Sequence, residues 1–328
     1  MIMRISHYWY IVCFINGWII SEADNPERIE DDNRDVSTPE CGEESSFVVN
    51  KCEERCECKN GKLTNCHRVR KEFTKMTIEH KKRYINTYKL ASVHPLFKKD
   101  YEKTVALHLN ESDEAKLPEV FLPWHRWYLT EFENLLRRID CRVTIPFWDW
   151  SKNIHHWWRG TENDDLWNPE DHGLGGDGSK LDNHCVENGP FSKDKWSLLD
   201  VSGGGCLTRN FLKRSLVHDT ENVNKTLSLP LEKFNEFEET LRSDYHIEPH
   251  FVVGGTMNNP LISANSPELL LHHAFLDKLW YEWQTKGNEF KNVYFPNVPL
   301  KFHASKYYCW EWIDSSNLPG EVKVVYEE

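Results

Sequence analysis

Residues 266–284 read SPELLLHHAFLDKLWYEWQ, and this stretch decides the fold class. Ser266 suits an N-cap and Pro267 the first helical turn, where a missing N–H costs nothing. Apolar side chains and one histidine then recur at the spacing of a single buried helical face: Leu269, His273, Leu276, Trp280 and Trp283. The stretch therefore predicts a long helix that carries an imidazole into the core.

Similar apolar spacing predicts further helices over 69–90, 101–108, from Pro123 to Ile139, and over 230–243. Residues 150–212 are rich in Gly, Asp, Asn and Trp without a clear period, which indicates a long irregular excursion. Short alternating runs near the C-terminus predict a few strands. The expected fold is mainly α, an antiparallel four-helix bundle with long irregular loops.

The N-terminus predicts a secreted protein. Residues 1–23 combine Arg4, an apolar run and the small-x-small site Ser21-Glu22-Ala23, as in a signal peptide. An uncleaved membrane anchor is the alternative, although the run is short for a span. Sequons at Asn110 and Asn224 are candidate glycosylation sites. After signal cleavage, we expect no membrane association.

The remaining organisation follows from charge and cysteine content. Residues 24–40 predict a flexible acidic leader, 41–67 a cysteine-rich module, and 68–328 the main domain. The ten cysteines should mostly form disulfides in a secreted chain, and removal of Cys13 leaves an odd number. Zinc binding by Cys52, Cys56 and Cys58 is a weaker alternative, because no second ligand pair follows at suitable spacing.

Length and charge exclude other classes. A chain of 328 residues can bury a sizeable core, and its formal net charge of −12 disfavours nucleic acid as a partner. A mean hydropathy of −0.67 excludes a polytopic membrane protein.

Several of the 16 histidines predict a metal site. His246 and His250 would project together if their segment is helical, and His273 faces the core from another helix. His108 ends an apolar run, while His125 heads the helix that begins at Pro123. A bundle that brings these helices together would gather five imidazoles, and imidazole donors suit copper, zinc, iron or nickel alike.

Three motifs make the chain recognisable: FLPWHRWY at 121–128, IPFWDW at 145–150 and SPELLLHHAFLD at 266–277. In this order they resemble the tyrosinase family of type-3 copper proteins, and the cysteine-rich segment resembles that of secreted animal members. The resemblance implies two copper ions, each held by three histidines within a four-helix bundle. His246, His250 and His273 match the second copper set, and His272 is expected to pack beside it.

The first copper set matches only in part. His108 and His125 match its first and third ligands, but the middle position is Lys116. A protonated lysine has no lone pair for a metal. The first site is therefore expected to bind copper weakly or not at all.

The resemblance implies oxidation of phenols or catechols to o-quinones with O2. Diphenols are the more expected substrates, because Ile247 replaces a small polar residue common in active members. Ile247 and Val253 are expected to line the substrate approach. The alternative is a catalytically impaired copper-binding or extracellular matrix protein that retains the scaffold.

Overall fold

The computed structural model describes residues 41, 47–200, 203–294 and 301–327. The chain divides into two compact units, Met1–Thr38 and Pro39–Glu328, and every described residue belongs to the second. The predicted signal peptide (1–23) and leader (24–40) lie outside the described residues.

The described chain is mainly helical. The helices are α1 (Ile78–Val93), α2 (Lys98–Asn110), α3 (Phe121–Arg137), α4 (Thr220–Leu227), α5 (Phe234–Glu239), α6 (Ile247–Val253), α7 (Gly255–Asn258), α8 (Pro267–Gln284) and α9 (Asn288–Asn292). The strands are β1 (Val48–Val49), β2 (Arg55–Lys59), β3 (Lys62–Lys71), β4 (Gly178–Ser179), β5 (Cys185–Val186) and β6 (Val324–Glu327). Helix α3 packs against α1, α2 and α8 in the core.

The predicted helix over 69–90 begins too early. Residues up to Lys71 belong to β3, a short 3-10 turn follows, and α1 starts at Ile78 behind the N-cap Thr77. Strand β3 persists because β6 pairs with it in parallel, with Arg68 opposite Val324. This pairing joins residues far apart in sequence, which local helical spacing does not encode.

The described part of the cysteine-rich segment contributes three antiparallel strands and is linked by a disulfide to the chain beyond α3. Strands β1, β2 and β3 pair antiparallel, and β6 completes the sheet. Disulfides join Cys41 to Cys58, Cys56 to Cys66 and Cys52 to Cys141, the last bond reaching beyond α3. Cys52, Cys56 and Cys58 are thus all oxidised, which rules out the zinc alternative for these three residues.

The irregular excursion between α3 and α4 is held by a fourth disulfide, Cys185–Cys206. The remaining described cysteine, Cys309, is a buried free thiol. Burial raises its pKa to about 12, so that it stays protonated at neutral pH.

A buried charge network joins α3 and α8. Asp277 on α8 accepts hydrogen bonds from Arg126 on α3 (2.6 Å), from Arg70 on β3 (3.3 Å) and from the Tyr326 hydroxyl on β6. Arg70 also donates to Glu133 of α3 at 2.9 Å. The network holds α3 and α8 together close to the histidines that both helices carry.

Candidate metal centre

Four helical segments bring the five predicted histidines to one place in the interior. His108 lies in the last turn of α2, His125 in the first turns of α3, and His273 in the middle of α8. His246 immediately precedes α6, and His250 lies within it. All except the half-buried His250 are buried.

The ring nitrogens of these side chains form two overlapping triads. In one triad, ligand atoms of His108, His125 and His273 lie within 4.8 Å of one another; in the other, those of His246, His250 and His273 do so. The His125 and His273 rings stack with their centroids 4.2 Å apart. His273 is therefore common to both triads.

Backbone carbonyls orient three of these imidazoles. His125 Nδ1 lies 2.7 Å from the Phe121 carbonyl, and His250 Nδ1 lies 2.7 Å from that of Met257. His246 Nδ1 makes a longer contact of 3.3 Å with the Arg242 carbonyl. When Nδ1–H donates to a carbonyl, the lone pair remains on Nε2, which is the usual arrangement around a metal-ligating histidine.

A π-helical segment, Thr240–Tyr245, leads directly into His246. The His246 N–H donates to the Leu241 carbonyl five residues earlier, at 2.9 Å. Pro249 explains the wider turn, because it has no N–H for the Tyr245 carbonyl and its ring crowds that carbonyl in a regular α-helix. The helix predicted over 230–243 is therefore interrupted, and the interruption adjoins the first residue of the H-x3-H pair.

The site suits neutral nitrogen donors. Burial lowers the pKa of His125 and His250 to about 4, and it lowers the pKa of His108, His246 and His273 well below the ordinary value. These imidazoles are thus neutral at physiological pH, as metal ligation requires.

Several buried ring nitrogens of the five clustered histidines have no hydrogen-bond partner among the described residues. They are His108 Nδ1, His250 Nε2 and both nitrogens of His273. An unsatisfied buried polar atom costs free energy. A metal ion would satisfy the one nitrogen of each neutral imidazole that carries a lone pair. The residues present therefore fit a metal held by imidazoles.

His272 is arranged differently from its neighbour. Its Nε2 lies 3.1 Å from the His246 backbone carbonyl, and the side chain is fully buried. An Nε2–H that donates to this carbonyl is not free to bind a metal. The Nδ1 atom of His272 has no hydrogen-bond partner among the described residues, but His272 belongs to neither triad of closely spaced ligand atoms. This contact supports the expectation that His272 packs beside the ligand set.

A cavity of about 350 Å³ opens onto the histidines. Its lining residues are His108, Ser112, Ala115, Lys116, His125, His246, Ile247, His250, Asn258, Pro260 and Ser263. Ile247 lines this cavity. Val253 does not: it is fully buried, and its carbonyl accepts a hydrogen bond from Asn210 N–H, so its predicted place on the substrate approach is not reproduced.

Sequence reasoning missed the polar residues Ser112, Asn258 and Ser263 of this cavity. The latter two come from the segment after α6, where Gly254 turns the chain with a φ of +67°. A side chain on the next residue, Gly255, would place its Cβ 2.3 Å from the Thr208 carbonyl. In the sequence, the Gly254-Gly255 pair indicates this turn. The pair alone does not indicate that the chain after the turn reaches the cavity.

Lys116 ends a short 3-10 turn, Glu114–Lys116, and its side chain is exposed at the cavity. No described residue forms an ion pair with it. Burial is the main cause of the lowered pKa of His108, His125 and His250, and the nearby Lys116 charge lowers each further. Lys116 therefore contributes a cation where the family resemblance leads us to expect a ligand.

The two sequons lie away from this cavity. Asn110 is exposed at the end of α2 and lines a separate groove of about 590 Å³, and Asn224 is exposed on α4. A glycan on either asparagine would start outside the histidine cavity. Glycosylation itself stays a prediction.

Comparison with known proteins decides the family. Residues 84–286 match the common central domain of tyrosinase. The chain belongs to the tyrosinase family of type-3 copper proteins. Membership implies a dicopper cofactor, O2 and phenolic substrates, and the histidine clusters are compatible with such a cofactor.

Individual relatives agree with this membership. A tyrosinase from Streptomyces glaucescens is 32% identical over 247 residues, covering 66% of this chain and 83% of the relative. Grixazone synthase from Streptomyces griseus is 30% identical over 287 residues, covering 71% of this chain and 89% of the relative.

Two solved structures share the tyrosinase and hemocyanin fold. A polyphenol oxidase variant from Thermothelomyces thermophila superposes with a TM-score of 0.59 at 18% identity, covering 80% of this chain and 89% of the other. A functional unit of octopus hemocyanin gives 0.54 at 17% identity, with 79% and 68% covered. Separately, none of the described helices is both long and apolar enough to cross a membrane.

Proposed function

We propose that the protein is a secreted copper oxidoreductase that oxidises phenols and catechols to o-quinones with O2, and that it prefers diphenols. The observation that carries the proposal is the cavity of about 350 Å³ that reaches four of the five clustered histidines. A smaller apolar cavity of about 150 Å³ is known to accept benzene, so there is room for a substituted ring.

Two ligand sets follow from the chemistry of imidazole. His246, His250 and His273 would hold one copper ion, and His108 and His125 the other. A neutral imidazole has one lone pair to donate, so His273 completes only one triad at a time. The second ion is therefore held by fewer protein ligands and binds more weakly. When bound, copper supplies the electron transfer by which one O2 accepts four electrons from two catechols and is reduced to water.

The protein residues position the substrate. The buried histidines and their carbonyl partners fix the ligand directions, while the open side of the cavity admits a flat ring. Ile247 offers no hydrogen-bond acceptor beside a phenolic hydroxyl, since its side chain is purely aliphatic. A monophenol therefore receives no help from this position in losing its proton, and a catechol is the better substrate.

The wider architecture supports secretion. Four disulfides are typical of a chain that folds in an oxidising compartment, in line with a signal peptide at 1–23 and glycans on Asn110 and Asn224. We assign α2, α3, α6 and α8 to a four-helix bundle around the copper pair, within a domain of residues 68–328. Residues 41–67 form its cysteine-rich N-terminal module.

Oxygen uptake tests the proposed activity. Protein expressed through a secretory pathway and loaded with copper is expected to consume O2 with 4-methylcatechol at least tenfold faster than with 4-methylphenol, because Ile247 cannot assist deprotonation. A His250→Ala variant is the control for uptake by loosely bound copper. Equal rates with both substrates would contradict the diphenol preference. A chain that binds one copper ion or none and consumes no O2 would favour the non-catalytic alternative.

Replacing Lys116 by histidine tests the incomplete ligand set. Lys116→His removes a cation beside the imidazoles and adds a nitrogen donor, so the second copper is expected to bind at least tenfold more tightly. The measurement is copper per chain after dialysis against a graded chelator. Lys116→Met removes the charge without adding a ligand and serves as the control. If both variants retain the same copper as the unmodified chain, the missing ligand has been assigned to the wrong position.

A further inference from the structure

The histidine cavity is lined by a positively charged side chain but by no negatively charged one. Lys116 is the one ionisable residue other than histidine among the cavity-lining residues, and no acidic side chain lines the cavity in the described part of the chain. The lysine is exposed and no described carboxylate pairs with it. Some exposed lysines of the described chain are paired in this way, such as Lys193, which lies 2.5 Å from Asp182. Lys116 is thus a cation available to a ligand.

The surroundings of the cavity suit an aromatic ligand. Ile247 lines the cavity and is 52% exposed, and Phe251, one turn further along α6, is 54% exposed. Leu261, which follows the lining residue Pro260, is 56% exposed. Apolar side chains exposed beside a cavity favour contact with an apolar partner over water. A ligand that combines a ring with an anionic group would satisfy both features.

A second polar group in the cavity also lacks a partner. Ser263 lines the cavity, is only 1% exposed, and its hydroxyl makes no hydrogen bond with any described residue. Buried hydroxyl groups are normally hydrogen-bonded, so an unpaired one at a cavity wall indicates a polar ligand or an ordered water. A polar substituent on the ring would find this donor as well as the lysine.

We propose that the preferred substrates are phenols or catechols whose ring carries a short acidic side chain, with the acid group paired to Lys116. This inference rests on the proposed function for its reaction, and it adds the substrate class. Lys116 then selects the substrate rather than binding copper, and its compact ammonium group suits a carboxylate at the cavity mouth. An amine-bearing catechol is disfavoured by the same charge.

Binding without turnover tests the inference independently of the oxidation. The ligands are 3-phenylpropionate and its neutral amide, neither of which carries an oxidisable hydroxyl group. Both are titrated into the full chain, copper-loaded and metal-free, with binding followed by ligand-observed NMR at low salt. The acid is expected to bind about tenfold more tightly than the amide, as for a charge-assisted hydrogen bond. The preference should weaken as salt is added.

Three variants assign the preference to a residue. Lys116→Met should abolish it, Lys116→Arg should retain it, and Lys99→Met, which removes an exposed lysine of α2 away from the cavity, should leave it unchanged. Turnover is compared for dihydroxyphenylpropionate and its amide, both with adjacent ring hydroxyls. Lys116→Met should raise the KM for the acid about tenfold relative to the KM for the amide, with kcat little affected.

The outcomes separate the two proposals. An acid preference in the metal-free chain that disappears in Lys116→Met supports the inference even if no O2 uptake is found. Equal binding of acid and amide, no binding of either, or a preference that survives in Lys116→Met overturns it, whatever the oxidase assay gives. A preference seen only with copper present also overturns it, because the carboxylate would then be binding the metal.

Discussion

Replacing His273 by alanine is expected to remove tight copper binding and, with it, the activity. His273 is the one residue common to the two triads, and both of its ring nitrogens lack a hydrogen-bond partner among the described residues. Its loss leaves two histidines in each triad, which is too few to hold a copper ion firmly. We expect catechol-dependent O2 uptake to fall at least about 100-fold, since loss of a mere supporting contact already costs 10–100-fold. Copper per chain and O2 uptake are measured on the same preparation.

The neighbouring histidine provides the matched control. His272 is just as buried, but its Nε2 contacts the His246 backbone carbonyl. His272→Ala removes an equally large buried ring and is expected to retain copper and to lose less O2 uptake than His273→Ala. If His273→Ala keeps its copper while His272→Ala loses it, the ligand has been assigned to the wrong member of the pair.

Replacing Asp277 by asparagine is expected to destabilise the whole domain. The Asp277 carboxylate is 4% exposed and accepts hydrogen bonds from Arg126 and Arg70, each of which is fully buried. Asparagine keeps the shape but leaves two buried guanidinium groups with less counter-charge. Breaking a buried ion pair by removing one partner costs about 3–5 kcal/mol, which is a large part of a domain's stability. Urea unfolding followed by tryptophan fluorescence measures the change.

An exposed ion pair gives the comparison for this loss. Asp100 and Arg138 form a salt bridge in which both side chains are about half exposed, at 48% and 52%. Solvent-exposed pairs contribute between about 0 and 1 kcal/mol, so Asp100→Asn should change the free energy of unfolding by less than about 1 kcal/mol. A loss at Asp277 no larger than the loss at Asp100 would show that the buried network does not hold α3 and α8 together.

Local periodicity predicts the helices that carry the site but not the contacts that assemble them. The spacing within 266–284 predicts α8, which begins at Pro267 as expected. The Ser266 side chain nevertheless makes no capping hydrogen bond, and its buried hydroxyl has no partner among the described residues. Strand β3 and the Cys52–Cys141 disulfide depend on partners distant in sequence, and a one-dimensional pattern does not identify such partners.

The candidate site likewise combines features that the sequence predicts with features that depend on the tertiary structure. The five histidines are predictable from motif and spacing, because their positions on helices determine which way they face. The sequence predicts that Lys116 departs from the family's histidine at this position. That its unpaired charge lies at the cavity depends on the path of the 3-10 turn, which the sequence does not predict. Ser263 enters the cavity through the turn at Gly254 and Gly255, and Val253 is buried by the same change of direction. Backbone turns of this kind are set by tertiary contacts rather than by side-chain periodicity.

Oxygen uptake followed during a copper titration tests the central claim most directly. Copper is added in fractions of an equivalent to metal-free protein, and catechol-dependent uptake is recorded at each step. The first equivalent, which we propose that His246, His250 and His273 hold, is expected to give little uptake. Uptake should rise as the weaker second equivalent binds, and it should plateau at two copper ions per chain. A chain that binds two copper ions and consumes no O2 with catechol, or one that binds no copper, would contradict the account.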